Sequence, residues 1–346
     1  MSFVLDLLQG GWGGLIDYLS FHVLTCLVPA FFIAGAITMF FSQATVLKYF
    51  GPKANKFISY GVASVSGTVL AVCSCTVLPI FGGIFKRGAG LGPAIAFLYS
   101  GPAINILAII YSARLLGYDI GVARGVGAVA FSAIVGLLMA LIFSKDKTHY
   151  DEKAFIALEK EPEGKKLWQQ VIFFGALIGI LVFLASKNWL FAGASFAVLG
   201  LVLWRWFTFD EIKMWMKETF FFTKKIFPWL VGGVFFAGML RVLIPADWVS
   251  AFAGQNTLLA NFGVSLFGAA TYFSTLTEVP LMKAFMDLGM TKGPVVSMLL
   301  ADPALSIPSI LVLGSIIGWK KTFTYVGLVV MMATLTGFTL GMFFLK

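Results

Sequence analysis

The residues of this 346-residue chain that could do chemistry gather in two short stretches and the segments that follow them. Cys73-Ser74-Cys75-Thr76-Val77-Leu78-Pro79 puts two thiols and two hydroxyls ahead of a proline, with GVASVSGTVLAV before it and IFGGIF after it, none of it charged. Ser274-Thr275-Leu276-Thr277-Glu278-Val279-Pro280 puts three hydroxyls and a carboxylate in the same frame. Soft thiolates select soft, thiophilic species. A tight turn can aim both sulfurs of Cys-X-Cys at one centre, whereas a regular helix splays them apart. Of the 16 Asp and Glu, Glu278 and Asp302 are the two that fall inside apolar segments. A buried carboxylate can load and release a proton, so both are candidates for proton coupling. The predicted substrate contacts are Cys73, Ser74, Cys75, Thr76, Asn105, Ser274, Thr277, Glu278, Asp302 and Ser306. Cys26 reads as a small buried hydrophobe. No metal site and no cofactor are expected.

These residues need elements that hold polar groups inside lipid. The chain is 59% hydrophobic and 12% charged, against about 25% charged in soluble domains, and its mean hydropathy is +0.93. Apolar stretches run at roughly 21–41, 57–85, 90–112, 121–143, 169–186, 189–207, 219–244, 258–285, 293–317 and 322–344. Most approach the ~20 residues that cross a bilayer as a helix. The fold class is therefore an all-α polytopic protein of a bacterial-type inner (plasma) membrane. The net charge of +9 lies in short loops, a placement that sets orientation and gives no reason to expect a nucleic-acid partner. Met1 to Ser20 has no Lys or Arg and so lacks the basic start of a cleavable signal. Three cysteines are too few for a disulfide scaffold.

The two motif stretches are related by an internal repeat. Gly35 and Gly51 align with Gly238 and Gly254. After a two-residue slip, Thr76, Pro79, Gly88, Gly92-Pro93 and Pro102 align with Thr277, Pro280, Gly289, Gly293-Pro294 and Pro303. The expected organisation is a first repeat over 1–143, a charged cytoplasmic linker over 144–168, a connecting helix pair over 169–218 and a second repeat over 219–346. Treating 57–85 and 258–285 as re-entrant hairpins leaves about eight full spans and halves of inverted orientation, with 18 of the 25 Lys and Arg inside. Ten full spans with parallel halves put fewer there, so the positive-inside rule favours hairpins. Their tips would fall at Cys73–Cys75 and Ser274–Leu276, with Thr76 and Thr277 capping new helices and Pro79 and Pro280 in the first turns. Gly101-Pro102 and Asp302-Pro303 are expected to break the next spans near the midplane, with proline opening each restart and Asp302 suited to cap one. Discontinuous helices meeting at a repeat interface form the usual substrate site of secondary transporters.

At CSCTVLP, GPAIN, STLTEVP and DPALSIP, in that order, the chain resembles the ArsP/YraQ-type predicted permeases, a family that includes organoarsenical efflux proteins. The resemblance implies a permease. For the arsenical members it implies efflux of trivalent organoarsenicals through membrane cysteines, which corresponds here to Cys73 and Cys75. Other readings of the same residues are a membrane thiol oxidoreductase or sulfur-transfer protein, and a permease for a sulfur oxyanion or other anion drawn by helix N-termini. The chain carries no G-x-x-x-x-G-K-[ST], H-E-x-x-H or G-x-S-x-G, and an enzyme is not expected.

Overall fold

The computed structural model of the protein describes residues 2–17, 27–40, 55–70, 74–104, 106–144, 167–185, 188–243, 252–271, 273 and 275–344. They form helices, with no strand among the described residues. Lipid offers backbone N–H and C=O groups no water, so each segment must satisfy its own, as a helix does. The N-terminal half consists of α1 (Ser2–Asp17), α2 (Val28–Phe40), α3 (Lys56–Leu70), α4 (Ser74–Lys86), α5 (Leu91–Ala103), α6 (Ile106–Leu115) and α7 (Tyr118–Ile142). A mutually packed pair follows, α8 (Leu167–Ala185) and α9 (Trp189–Trp206). The C-terminal half consists of α10 (Phe209–Leu243), α11 (Leu258–Ala270), α12 (Thr275–Asp287), α13 (Lys292–Ala301), α14 (Ile307–Ile317) and α15 (Trp319–Phe343). Helices α7, α9 and α15 are long and apolar enough to cross a membrane, and α5 with α6, bent by 46° at their break, make a fourth candidate.

Close approaches give each helix its direction. Gly92 at the start of α5 sits against Gly136 near the end of α7, and a β-carbon there would collide with the hydroxyl of Tyr60, near the start of α3. Helix α3 therefore begins at the end of the bundle where α5 begins. Helix α4 finishes there too, because only the turn at Gly88 (φ 92°) separates it from α5. In the other half Gly293 at the start of α13 sits against Gly337 near the end of α15 and against Asn256, just ahead of α11. Lys292 reaches Asp119 at the start of α7 at 2.6 Å. Lys321 near the start of α15 lies 5.9 Å from the ring of Phe143, at the end of α7. Helices α7 and α15 thus run antiparallel, and α11 begins and α12 finishes at the end of the bundle opposite to α3 and α4.

The left-handed turns recur at one interval. Gly88 (φ 92°) and Gly289 (φ 104°) are 201 residues apart, as are Gly117 (φ 121°) and Gly318 (φ 87°). Each needs a backbone conformation that side chains rarely tolerate. Packing between halves is also reciprocal, with α4 on α14, α12 on α6, and α7 on α15.

Local expectations are revised at several points. Helix α4 opens at Ser74 and α12 at Thr275, so Thr76 and Thr277 lie within first turns and do not cap them, and Pro79 and Pro280 fall further in. Having no N–H, these prolines leave the carbonyls four residues back, of Cys75 and Leu276, without the helical donor. The breaks in the following spans also shift. Helix α5 runs through Pro102 to Ala103, and α13 stops at Ala301. Asp302 is thus the C-terminal cap of α13, helical itself (φ −59°, ψ −45°), with its N–H given to the Met298 carbonyl. Ser306 caps α14 instead. Its extended backbone (φ −167°, ψ 156°) lets Oγ accept the Ser309 N–H at 3.3 Å, and Pro308 takes a first-turn position where no N–H is needed. Helix α1 lies outside the ten apolar stretches and packs on α10, Gly14 against Gly238. Helix α10 runs unbroken across residues 218 and 219.

Candidate functional site

The two broken spans meet. Leu98 and Pro102 of α5, Pro303 and Ala304 beyond α13, Ser309 of α14 and Val77 of α4 line a narrow crevice too tight to admit a water molecule. Ending a helix in an apolar interior strands carbonyls that would have received N–H groups from the next turn. Two buried tyrosines supply donors there. Tyr99 Oη donates to the Leu300 carbonyl at 2.8 Å, and Tyr325 Oη donates to the Ala304 carbonyl at 3.3 Å.

Beside this crevice lies a charged pair shared by the halves. The turn at Gly117 folds α6 back along α7, bringing Ser112 to face Arg124. Arg124 Nη1 donates to Ser112 Oγ at 2.9 Å, and that hydroxyl donates to the Ala108 carbonyl at 2.8 Å. Arg124 Nη2 donates to Glu278 Oε2, also at 2.9 Å. Both charged side chains are 0% exposed. Along α12, Glu278 is nine residues from Asp287, roughly 14 Å at 1.5 Å per residue. Among the described residues, Arg124 Nε and Glu278 Oε1 have no hydrogen-bond partner. The pair is therefore half-satisfied, the guanidinium meeting the carboxylate through one nitrogen and not through its two-pronged face. Tyr99 lies within electrostatic reach of both charges.

Glu278 was expected as a buried carboxylate, and it is buried. Its partner was not anticipated. The signal was available, because Arg124 is a basic residue inside the apolar stretch 121–143, but nothing near it in the chain points to Glu278, 154 residues away. Thr76 is buried at 1% exposure. Asp302 is buried against α11, where a β-carbon on Gly268 would lie 3.4 Å from its own. Ser306 is buried at the start of α14, its Oγ 2.8 Å from Ser309 Oγ. The backbone of Ser74 and Cys75 opens α4, and that of Thr277 lies in the first turn of α12. Cys26, Cys73, Asn105 and Ser274 lie outside the described residues. No cluster of three or more His, Cys, Asp or Glu that could hold a metal occurs among the described residues.

Interrupted apolar helices around a buried charge pair define a multi-pass helical membrane protein. The chain belongs to the ArsP_1 family, described as predicted permeases, whose model matches residues 12–342. It is 42% identical to the UPF0718 protein MJ0584 of Methanocaldococcus jannaschii, covering 99% of this chain and 98% of that one. It is 22% identical to the UPF0718 protein YraQ of Escherichia coli over 87% of this chain and 73% of that one. No solved structure matches the chain.

Proposed function

We propose that this permease is a secondary transporter of the inner (plasma) membrane, built as an inverted repeat with two re-entrant hairpins, α3–α4 and α11–α12, and about eight full spans. Membership of a predicted-permease family supports transport. The inverted arrangement is supported by the antiparallel course of α7 and α15, and by hairpin arms that start and finish at opposite ends of the bundle in the two halves. In this reading Lys86, the linker after Phe143 and Lys321 share one face, the cytoplasmic one, in keeping with the positive-inside rule. The observation that carries the site is the Arg124–Glu278 pair, which joins the halves beside the helix breaks with both charges fully buried. Buried ionisable groups in membrane segments mark substrate and proton pathways.

The cargo in this reading is a thiophilic species such as a trivalent organoarsenical, exported by proton antiport. Cys73 and Cys75 bind it, with Ser74, Thr76, Asn105, Ser274, Thr277 and Ser306 around it. Glu278 carries the proton and Asp302 assists. The adjacency of α4, which Ser74 and Cys75 open, to the crevice favours this assignment. Inverted vesicles given a trivalent organoarsenical under an imposed pH gradient should accumulate it, and Cys73→Ser, Cys75→Ser and Glu278→Gln should each lower uptake by tenfold or so; unchanged uptake in all three sinks the reading. Arg124 favours a second cargo, an anion, because a guanidinium is permanently charged and pairs with carboxylate-like groups.

A further inference from the structure

We infer that Arg124 is an anion-binding residue whose site Glu278 occupies in the structure as an internal stand-in, so that one proton on Glu278 and one small monoanion on Arg124 bind together. The inference deepens the anion reading and rests on it for its role in transport. Arg124 keeps its charge at any accessible pH, and its single described counter-charge is Glu278. A proton taken from solvent by a Glu278 oxygen removes that counter-charge and leaves a cation buried among apolar helices, which is costly unless an anion replaces the carboxylate. The pair is also loosely made. Arg124 uses Nη2 for the carboxylate and Nη1 for Ser112, while Nε and Glu278 Oε1 have no partner among the described residues. An anion presenting two coplanar oxygens can take both prongs of the guanidinium, which the Glu278 carboxylate does not do here.

The surroundings leave few other groups to answer a change of charge. On the elements packed around Arg124 and Glu278, Tyr99 of α5 lies within electrostatic reach of the pair, its hydroxyl, like that of Tyr325 of α15, is committed to a carbonyl at the helix break, and a second buried acid, Asp302, ends α13. Arg114 and Tyr111 of α6 are exposed, and Lys292 of α13 is engaged with Asp119. Ser112 is already donating to Ala108 and remains free to keep Nη1 in place when the carboxylate leaves. Proton and anion then enter the site as a neutral pair and move in the same direction.

Nitrate is the probe of choice because it is a planar monoanion that does not titrate near neutral pH. Calorimetric titration of nitrate into the purified full chain in nanodiscs, in two buffers of different ionisation enthalpy, reads proton uptake directly. Where Glu278 is ionised, one proton should be taken up per nitrate bound and the apparent Kd should weaken by about tenfold per pH unit of increase. Glu278→Gln, which keeps the shape and removes the charge, should bind nitrate at least tenfold more tightly than the parent at a pH where the parent's Glu278 is ionised, without proton uptake or pH dependence. Arg124→Gln and the double variant Arg124→Gln/Glu278→Gln should not bind it. Nitrate binding without proton uptake, a Glu278→Gln variant that binds no more tightly, or binding that survives Arg124→Gln would each overturn the inference. Because the Glu278→Gln result is a gain, misfolding does not mimic it. Linked binding of proton and nitrate with no nitrate transport in vesicles would remove the anion-transport reading and leave the site intact.

Discussion

At the scale of single residues, the Arg124–Glu278 pair combines a cost with a use. Taking both charges out of water is expensive, and the attraction between them recovers that expense only with good geometry and full hydrogen bonding. Here the geometry is one 2.9 Å contact, and an atom on each side is unpartnered among the described residues. Removing one member strands the other. Arg124→Met should therefore lower stability by about 3–5 kcal/mol, read from unfolding in mild detergent. Arg124→Met/Glu278→Leu should recover most of that loss, giving a coupling well above 1 kcal/mol in the double-mutant cycle. A coupling near zero would mean the pair is not the bond that its geometry describes. By contrast the pair between Lys86 and Glu218 is partly exposed, and breaking it should change stability by at most about 1 kcal/mol.

At the scale of elements, glycines set how closely the helices approach. Gly337 packs where a β-carbon would strike Ser297 Oγ and crowd the Gly293 carbonyl, and Gly136 stands in the same relation to the Gly92 carbonyl. Gly200 on α9 has nothing within 4 Å of such a carbon. The same substitution should thus have opposite signs. Gly337→Ala should destabilise by about 1–3 kcal/mol through forced separation of α13 and α15, while Gly200→Ala should stabilise by about 0.5–1 kcal/mol through reduced backbone entropy of the unfolded chain. Thermal unfolding of the two variants beside the parent measures both. Loss of stability in Gly200→Ala comparable to that in Gly337→Ala would refute the packing account.

At the scale of the whole molecule, the test is which surfaces share a side of the membrane. Phe57 at the start of α3 is 92% exposed, and Lys320 at the start of α15 is exposed. Tyr118 at the start of α7 and Leu288 after α12 are exposed at the other end of the bundle. With Cys26, Cys73 and Cys75 replaced by serine, single cysteines at 57 and 320 should react with an impermeant thiol reagent from the cytoplasmic side. Those at 118 and 288 should react from the opposite side. Residues 57 and 118 labelling from the same side would restore a full crossing by 57–85.

The helical class and the apolar character of the segments were legible in the sequence, because hydropathy acts through a residue's own neighbours in the chain. The resemblance to a permease family was legible from four motifs and agrees with the family match. Helix ends were less so. Thr76 was expected to cap its helix and Asp302 to begin one, yet Ser74 opens α4 and Ser306 caps α14, since a cap depends on backbone angles that a residue type only favours. Glu278 stood out as an acid in an apolar run, but Arg124 did not, although both are written in the chain. The pair spans 154 residues and two halves. Tertiary structure alone decided it, because a long-range contact is made by the packing of α12 on α6 and of α6 on α7, and packing is a property of the folded whole that no local pattern encodes.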